Sequence, residues 1–300
     1  MIRILGTVFA GLLGLAFGSF LNVCLSRWPV GESVVKPRSH CRTCGRTLAW
    51  WENVPLASWL ALRGRCRRCG TGIGWRYPLV ELALSALWAI IASQFVDGFP
   101  GTTTPHIPIS SSPHFLVQAA ATVGGMMLLT WILVGLAALD AEHFWLPDIV
   151  TLPGIALGIV ISLLRGDPLL ATSYPPQSVL NQLLMLAFSI LIAAGLILLI
   201  RWVYWLIRRR EGIGLGDAKL MAMLAAWLGL QGALLAFAIG VVLGAVVGLV
   251  LLATPKLRST GDAWALTRLP LGTFLCIGGI ISCLWGQPIL AAYLRWSGLS

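Results

Sequence analysis

Residues 4–26 read ILGTVFAGLLGLAFGSFLNVCLS and carry no charge. At 1.5 Å rise per residue an apolar run of this length spans the roughly 30 Å hydrocarbon core of a bilayer as one helix. One basic residue, Arg3, precedes it, and ten follow before the next apolar run: Arg27, Lys36, Arg38, Arg42, Arg46, Arg63, Arg65, Arg67, Arg68 and Arg76. The positive-inside rule therefore puts the N-terminus outside and residues 27–77 in the cytoplasm. A cleaved signal peptide has a shorter apolar stretch and its positive charge comes first. A lipoprotein site at Leu21 to Cys24 lacks the small residue expected just before the cysteine.

Similar apolar runs recur along the chain. They lie at about 78–96, 115–139, 149–164, 179–207, 218–230, 232–253 and 270–293. With 58% hydrophobic and 11% charged residues in 300, and a mean hydropathy of +0.87, a soluble globular domain is excluded. The expectation is an all-α polytopic membrane protein of about eight transmembrane helices partnered by the lipid bilayer. It divides into a first helix (1–26), a cytoplasmic loop (27–77) and a helical membrane domain (78–300). Alternation then makes 140–148, 208–217 and 254–269 cytoplasmic, and these hold Arg208, Arg209, Arg210, Lys256, Arg258 and Arg268. The net charge of +10 thus belongs to topology, and no nucleic-acid partner is expected. The Pro- and Ser-rich connections 97–114 and 165–178 read as linkers. The segment 218–230 is short for a crossing and is followed by Gly232, which predicts a tight, partly re-entrant hairpin.

The basic loop contains Cys41-Arg-Thr-Cys44-Gly45 and Cys66-Arg-Arg-Cys69-Gly70. Two such pairs can present four thiolates tetrahedrally to zinc, with the glycines permitting tight turns. The intervening stretch, 45–65, slightly exceeds the usual spacing of about 15–20 residues. Two disulfides or four free thiols are the alternatives, and a reducing compartment disfavours lasting disulfides. Four sulfurs leave no open coordination position, so the zinc would be structural. Cys24, Cys276 and Cys283 lie in apolar runs and read as packing thiols.

Ionisable groups at the edge of apolar helices are few. Asp140 ends one run and opens Leu139-Asp140-Ala-Glu142-His143-Phe-Trp-Leu146-Pro147-Asp148. Asp217 closes Gly212-Ile-Gly214-Leu-Gly216-Asp217 and begins the next helix with Lys219. Two intervening crossings return the chain to the same face, so the two aspartates can share one proton, the ionised one activating water while the other donates to a carbonyl. Gly214 and Gly216 leave room beside the carboxylate for a substrate backbone. The alternative for Asp217 is a favourable first-turn position at a helix N-terminus. Asp148 suits N-capping as well as catalysis, Glu142 and His143 suit a solvated loop, and Glu81 a structural pairing, with an arginine as its expected partner.

These residues resemble the bacterial type IV prepilin peptidases, which are also the leader peptidases of type II secretion. Gly18-Ser-Phe-Leu-Asn22-Val-Cys-Leu-Ser-Arg27-Trp-Pro29 is similar to the first motif of that family. Cys41 to Cys69, with Asn53-Val-Pro55 between and Arg76-Tyr77-Pro78-Leu-Val-Glu81 after, resembles its cytoplasmic zinc region. Leu139-Asp140 through Asp148 and Gly212 through Lys219 resemble its two aspartate motifs, and the resemblance runs to about residue 280. Leu139 stands where isoleucine is commoner and Cys24 where an aliphatic residue is, while Arg268-Leu-Pro270-Leu-Gly272-Thr-Phe varies a late Pro-Phe-Gly-Pro motif.

The resemblance implies an aspartyl endopeptidase of the bacterial inner membrane with Asp140 and Asp217 catalytic and Gly214, Gly216, Lys219 and Asp148 supporting them. It would remove the basic leader of prepilins or pseudopilins after a glycine at the cytoplasmic face. Many members then methylate the new N-terminal amine with S-adenosylmethionine, and the four-cysteine loop is shared by those bifunctional members. An intramembrane aspartyl protease for other single-span proteins would share the dyad. A proton-coupled transporter would more often show repeated halves, and no internal repeat is evident.

Overall fold

The computed structural model describes residues 2–97, 113–165, 179–209, 214–253 and 269–298. The linkers read at 97–114 and 165–178, residues 210–213 and the basic stretch at 254–268 lie wholly or largely outside them. Eight helices are described: α1 (Ile2–Arg27), α2 (Ala57–Ala61), α3 (Arg76–Asp97), α4 (Pro113–His143), α5 (Asp148–Arg165), α6 (Val179–Arg208), α7 (Leu215–Ala253) and α8 (Leu271–Ser297). All but α2 are long and apolar enough to cross a membrane, which gives seven candidate spans. Large apolar side chains such as Phe9, Leu12, Leu184, Leu191, Leu198 and Val242 are exposed along them. A soluble protein cannot present so much apolar surface, and lipid is the solvent it suits.

The difference from eight expected crossings lies in α7. A straight helix of its 39 residues would measure about 58 Å, nearly twice the hydrocarbon core. Gly229, with φ 70° and ψ 178°, breaks it. Packing against α8 gives the direction of each half. Before the break, Gly216 meets Leu146, which also meets Gly272, and Leu224 meets Gly279, so numbering rises along both helices. After it, Gly232 pairs with Ser282, Ala236 with Gly278, Gly240 with Phe274 and Gly248 with Leu269, so one rises as the other falls. The chain therefore reverses at Gly229, and the two short predicted segments form one hairpin turning three residues before Gly232. A left-handed φ at this point is available to glycine at little cost.

The chain forms two compact units, Met1–Phe99 and Pro100–Ser300. In the first, α1 and α3 run antiparallel. A Cβ at Gly14 would sit 2.6 Å from the Leu84 carbonyl oxygen, and one at Gly18 2.6 Å from Glu81 Cα. The two backbones thus touch along a small-xxx-small stripe. In the second unit the first half of α7 is buried from Asp217 to Trp227 except at Lys219. Leu129, Leu133 and Leu136 of α4 and Leu275 of α8 pack into the same core. This half is apolar on every side because protein, rather than lipid, surrounds it.

Candidate functional site

The loop between α1 and α3 builds two copies of one small motif. Residues 40–47 and 65–72 each close with an isolated antiparallel bridge, His40 to Thr47 and Arg65 to Gly72. Cys41 N–H donates to the Arg46 carbonyl at 2.9 Å and Cys66 N–H to that of Thr71 at 2.8 Å. Gly45 and Gly70, at φ 69° and 71°, turn the chain back and donate to the Cys41 and Cys66 carbonyls, each at 2.9 Å. The turns expected of these glycines are therefore present.

The four sulfurs of Cys41, Cys44, Cys66 and Cys69 lie within 4.8 Å of one another, and all four cysteines are free thiols. Zinc–sulfur bonds of about 2.3 Å on a tetrahedron require sulfurs about 3.8 Å apart. Cys41 Sγ and Cys69 Sγ are 3.8 Å apart, so the cluster fits such an ion. Backbone N–H groups of Cys44 and Thr43 lower the Cys41 thiol. The Thr71 hydroxyl and N–H beside Cys69 bring that thiol down to about 6. A metal-binding loop needs thiolates, and the polypeptide favours that form at Cys41 and Cys69, while Cys44 is raised. Glu52 buttresses the first turn, accepting from Ala49 N–H at 2.8 Å and Arg46 at 2.5 Å, which lowers its carboxyl.

In the second unit Asp140 closes α4 and Asp217 opens α7, and both are buried. They lie close enough to interact electrostatically with each other and with the Cys276 thiol. Between them the chain turns through Phe144 (φ 51°) to Leu146, which fills the gap between Gly216 and Gly272. A Cβ at Gly216 would lie 3.1 Å from Leu146 Cβ, and one at Gly272 2.9 Å from Asp140 Oδ2. Asp140 Oδ2 accepts from Thr273 N–H at 2.6 Å and from Thr273 Oγ1 at 3.1 Å. Asp217 Oδ2 accepts from Gly214 N–H at 3.2 Å. Two carboxylates from distant segments thus face one small-residue corner.

The other residues singled out above fall elsewhere. Lys219 Nζ and Asp148 Oδ1 form an ion pair of 2.6 Å with each other, well exposed, at the surface of the corner. Glu142 and His143 are exposed and 3.8 Å apart. Glu81 is buried but meets neutral donors rather than an arginine: Leu56 N–H at 2.8 Å and the Ser19 hydroxyl. Cys24 and Cys276 are buried packing thiols, as expected. Thr273 is the residue the sequence reading passes over. It stands in the late motif at 268–274, and it is the principal partner of Asp140.

The bacterial peptidase A24 N-terminal domain matches residues 12–95, and the type IV leader peptidase family matches residues 127–249. The prepilin leader peptidase/N-methyltransferase of Stutzerimonas stutzeri is 34% identical over 312 residues, covering 96% of this chain and 93% of that one. The protein of the same description from Pseudomonas aeruginosa is 34% identical over 310 residues, with the same coverage. That of Myxococcus xanthus is 36% identical over 309 residues, covering 97% and 81%. No solved structure matches.

Proposed function

The chain belongs to the type IV leader peptidase family, and from that premise we propose that it cleaves prepilins or pseudopilins in the bacterial inner membrane and methylates the new N-terminus. The observation that carries the peptidase reading is the pair of buried carboxylates, Asp140 and Asp217, joined across Leu146. One carboxylate takes a proton from water as the water oxygen adds to the scissile carbonyl carbon. The other, protonated, gives its proton to the carbonyl oxygen. On collapse the carbon–nitrogen bond breaks, a proton passes to the leaving nitrogen, and the dyad is restored. Thr273 commits Asp140 Oδ2 as an acceptor, which leaves Oδ1 for the water. Gly214 gives Asp217 its N–H without a side chain beside the carboxylate.

The substrate class suits the setting. A prepilin has a polar, basic leader, then an apolar helix in the bilayer, with the scissile bond at their junction. Arg208, Arg209 and Arg210 on the loop before Asp217, together with the ten basic residues between α1 and α3, support a corner at the cytoplasmic face and an N-terminus outside. Cys41, Cys44, Cys66 and Cys69 would hold a structural zinc, whose binding free energy folds the loop at 27–77. S-adenosylmethionine, when bound, would supply the electrophilic methyl group that the new N-terminal amine takes up.

Purified protein incubated with a prepilin, followed by mass spectrometry, tests both steps. A shortened product cut after a glycine, and a 14 Da increment per methyl group, are expected; D140N and D217N each abolish the cut while remaining in the membrane. Cleavage retained in either variant removes that residue from the dyad. Trimming of an unrelated single-span protein and not of the prepilin overturns the substrate reading.

A further inference from the structure

The turn between α4 and α5 departs from its surroundings in charge. The four connections that alternation puts in the cytoplasm are 27–77, 140–148, 208–217 and 254–269, and three of them carry lysine or arginine. Residues 140–148 carry neither, and their acidic groups are Asp140, Glu142 and Asp148. Anionic lipid headgroups attract lysine and arginine and repel carboxylates, so this turn is not made to lie on the membrane surface. Asp140 belongs to the dyad, and Asp148 is held by Lys219 at 2.6 Å. Glu142, 38% exposed and 3.8 Å from His143, is the carboxylate that stands at the surface outside those two duties.

The same turn holds backbone strain. Phe144, the residue just past α4, has φ 51°. A left-handed conformation disfavours any residue with a Cβ, and helices that end this way usually place glycine there. Packing gives little in return, because Phe144 is 57% exposed and Trp145 after it 39%. The turn is nevertheless fixed at both ends: Phe144 N–H donates to the Asp140 carbonyl at 2.9 Å, and Leu146 is wedged between Gly216 and Gly272. Two aromatic rings and a carboxylate are thus presented about one helical turn, roughly 5.4 Å, beyond Asp140. A bulky side chain kept against its backbone preference, and without a core to fill, has a use outside the fold. Aromatic faces and a carboxylate share one kind of partner, a cationic side chain.

We infer that Phe144, Trp145 and Glu142 receive the basic leader of the prepilin on the cytoplasmic side of the dyad. The assignment rests on the peptidase half of the proposed function. In that topology α4 runs toward the cytoplasm through Asp140 into this turn, and the leader leaves the scissile bond in the same direction. An extended leader advances about 3.4 Å per residue, so a lysine or arginine two or three positions before the cut comes level with the aromatic pair. The other cytoplasmic connections are cationic and repel such a leader, so the charge pattern steers it to this turn.

The test uses the full chain in detergent and two prepilins, one with lysine or arginine two and three positions before the cut and one with glutamine at both. Mass spectrometry of the product gives kcat and KM for each, and a thermal melt reports folding. The wild type is expected to cut the neutral leader at least ~5-fold less efficiently, the scale of two lost cation contacts. F144G, W145L and E142Q should each lower kcat/KM for the basic leader about 2- to 5-fold, chiefly through KM, as one exposed cation–π contact or ion pair does. Enzyme and leader changes remove the same contact, so their combination should cost no more than the larger of the two. F144G relieves the left-handed strain, and its melting temperature should equal or exceed that of the wild type. A variant that damages only the fold would melt lower and lose both leaders alike. W145L leaves the strained position untouched and carries the test if F144G does not fold. Equal loss on both leaders, loss on neither, or a wild type indifferent to leader charge overturns the leader site and leaves the peptidase standing. A wild type that cuts neither prepilin overturns the peptidase reading, and the leader site with it.

Discussion

Thr273→Val removes one hydroxyl and keeps the side-chain shape. The wild-type Thr273 holds Asp140 Oδ2 through its N–H at 2.6 Å and its hydroxyl at 3.1 Å, and the hydroxyl is also 3.1 Å from the Ala137 carbonyl. Valine retains the N–H bond only. A hydrogen bond to a charged group contributes about 1.5–3 kcal/mol, which at 1.36 kcal/mol per decade is about a 10- to 150-fold fall in rate if the bond is fully felt in the transition state. Because Thr273 positions a carboxylate and touches no substrate in this account, the loss belongs in kcat with KM little changed. Steady-state cleavage of a prepilin in detergent measures both, and Thr273→Ser, which restores the hydroxyl, recovers most of the rate. Gly272→Ala should cost more, since its Cβ would stand 2.9 Å from Oδ2 and push the carboxylate itself. A Thr273→Val enzyme within twofold of wild type would refute the claim that this hydroxyl orients Asp140.

Lys219→Met and Asp148→Asn break an exposed ion pair worth at most about 1 kcal/mol. Cleavage within about fivefold of wild type is expected, and total loss would place either side chain in the chemistry. In the first unit, Gly18→Ala drives a methyl toward Glu81 Cα at 2.6 Å; overpacking of this kind costs about 1–3 kcal/mol and should lower the detergent melting temperature. An unchanged melt would mean that α1 and α3 separate without penalty. In chelated protein at pH 7, Cys69, with its thiol near 6, is mostly thiolate and should alkylate ahead of Cys44. The preference disappears as pH falls below about 6, and Thr71→Val, which removes the hydroxyl beside the sulfur, slows Cys69 labelling. Peptide mass spectrometry reads the order, and equal rates would contradict it.

How far the sequence carries these conclusions depends on the range of the interaction. Bilayer spans are a local property of composition, and Cys-x-x-Cys-Gly states its own turn. Both are legible residue by residue. Asp140 and Asp217 are legible for a different reason: a carboxylate at the edge of an apolar helix is costly enough to demand a use. Thr273 has no such mark. Its stronger bond comes from a backbone N–H that any residue other than proline supplies, to a partner 133 positions away. Asn22 is hidden likewise, because only the folded chain shows that its Nδ2 donates to the Tyr77 carbonyl, 55 positions away. The turn at Gly229 rather than Gly232 is set by which glycine the packing against α8 drives to positive φ, and Gly232 instead meets Ser282 and Leu228 at close range.

The α7 hairpin has a consequence for the dyad. Its first half, residues 215–228, is about 21 Å long and cannot cross a 30 Å core alone. It is instead buried in one core with residues of α4, α5, α6 and α8. A helix free to slide in lipid would set Asp217 by hydrophobic matching, to within a turn. A helix locked by Met223 against Gly154 and Trp227 against Gly158 is set by side-chain contact, to within a fraction of an ångström. Proton sharing between two carboxylates requires the second kind of precision. On the proposed mechanism the buried apolar surface of this short helix fixes the position of Asp217, so enlarging Gly154 or Gly158 should reduce cleavage without touching either aspartate.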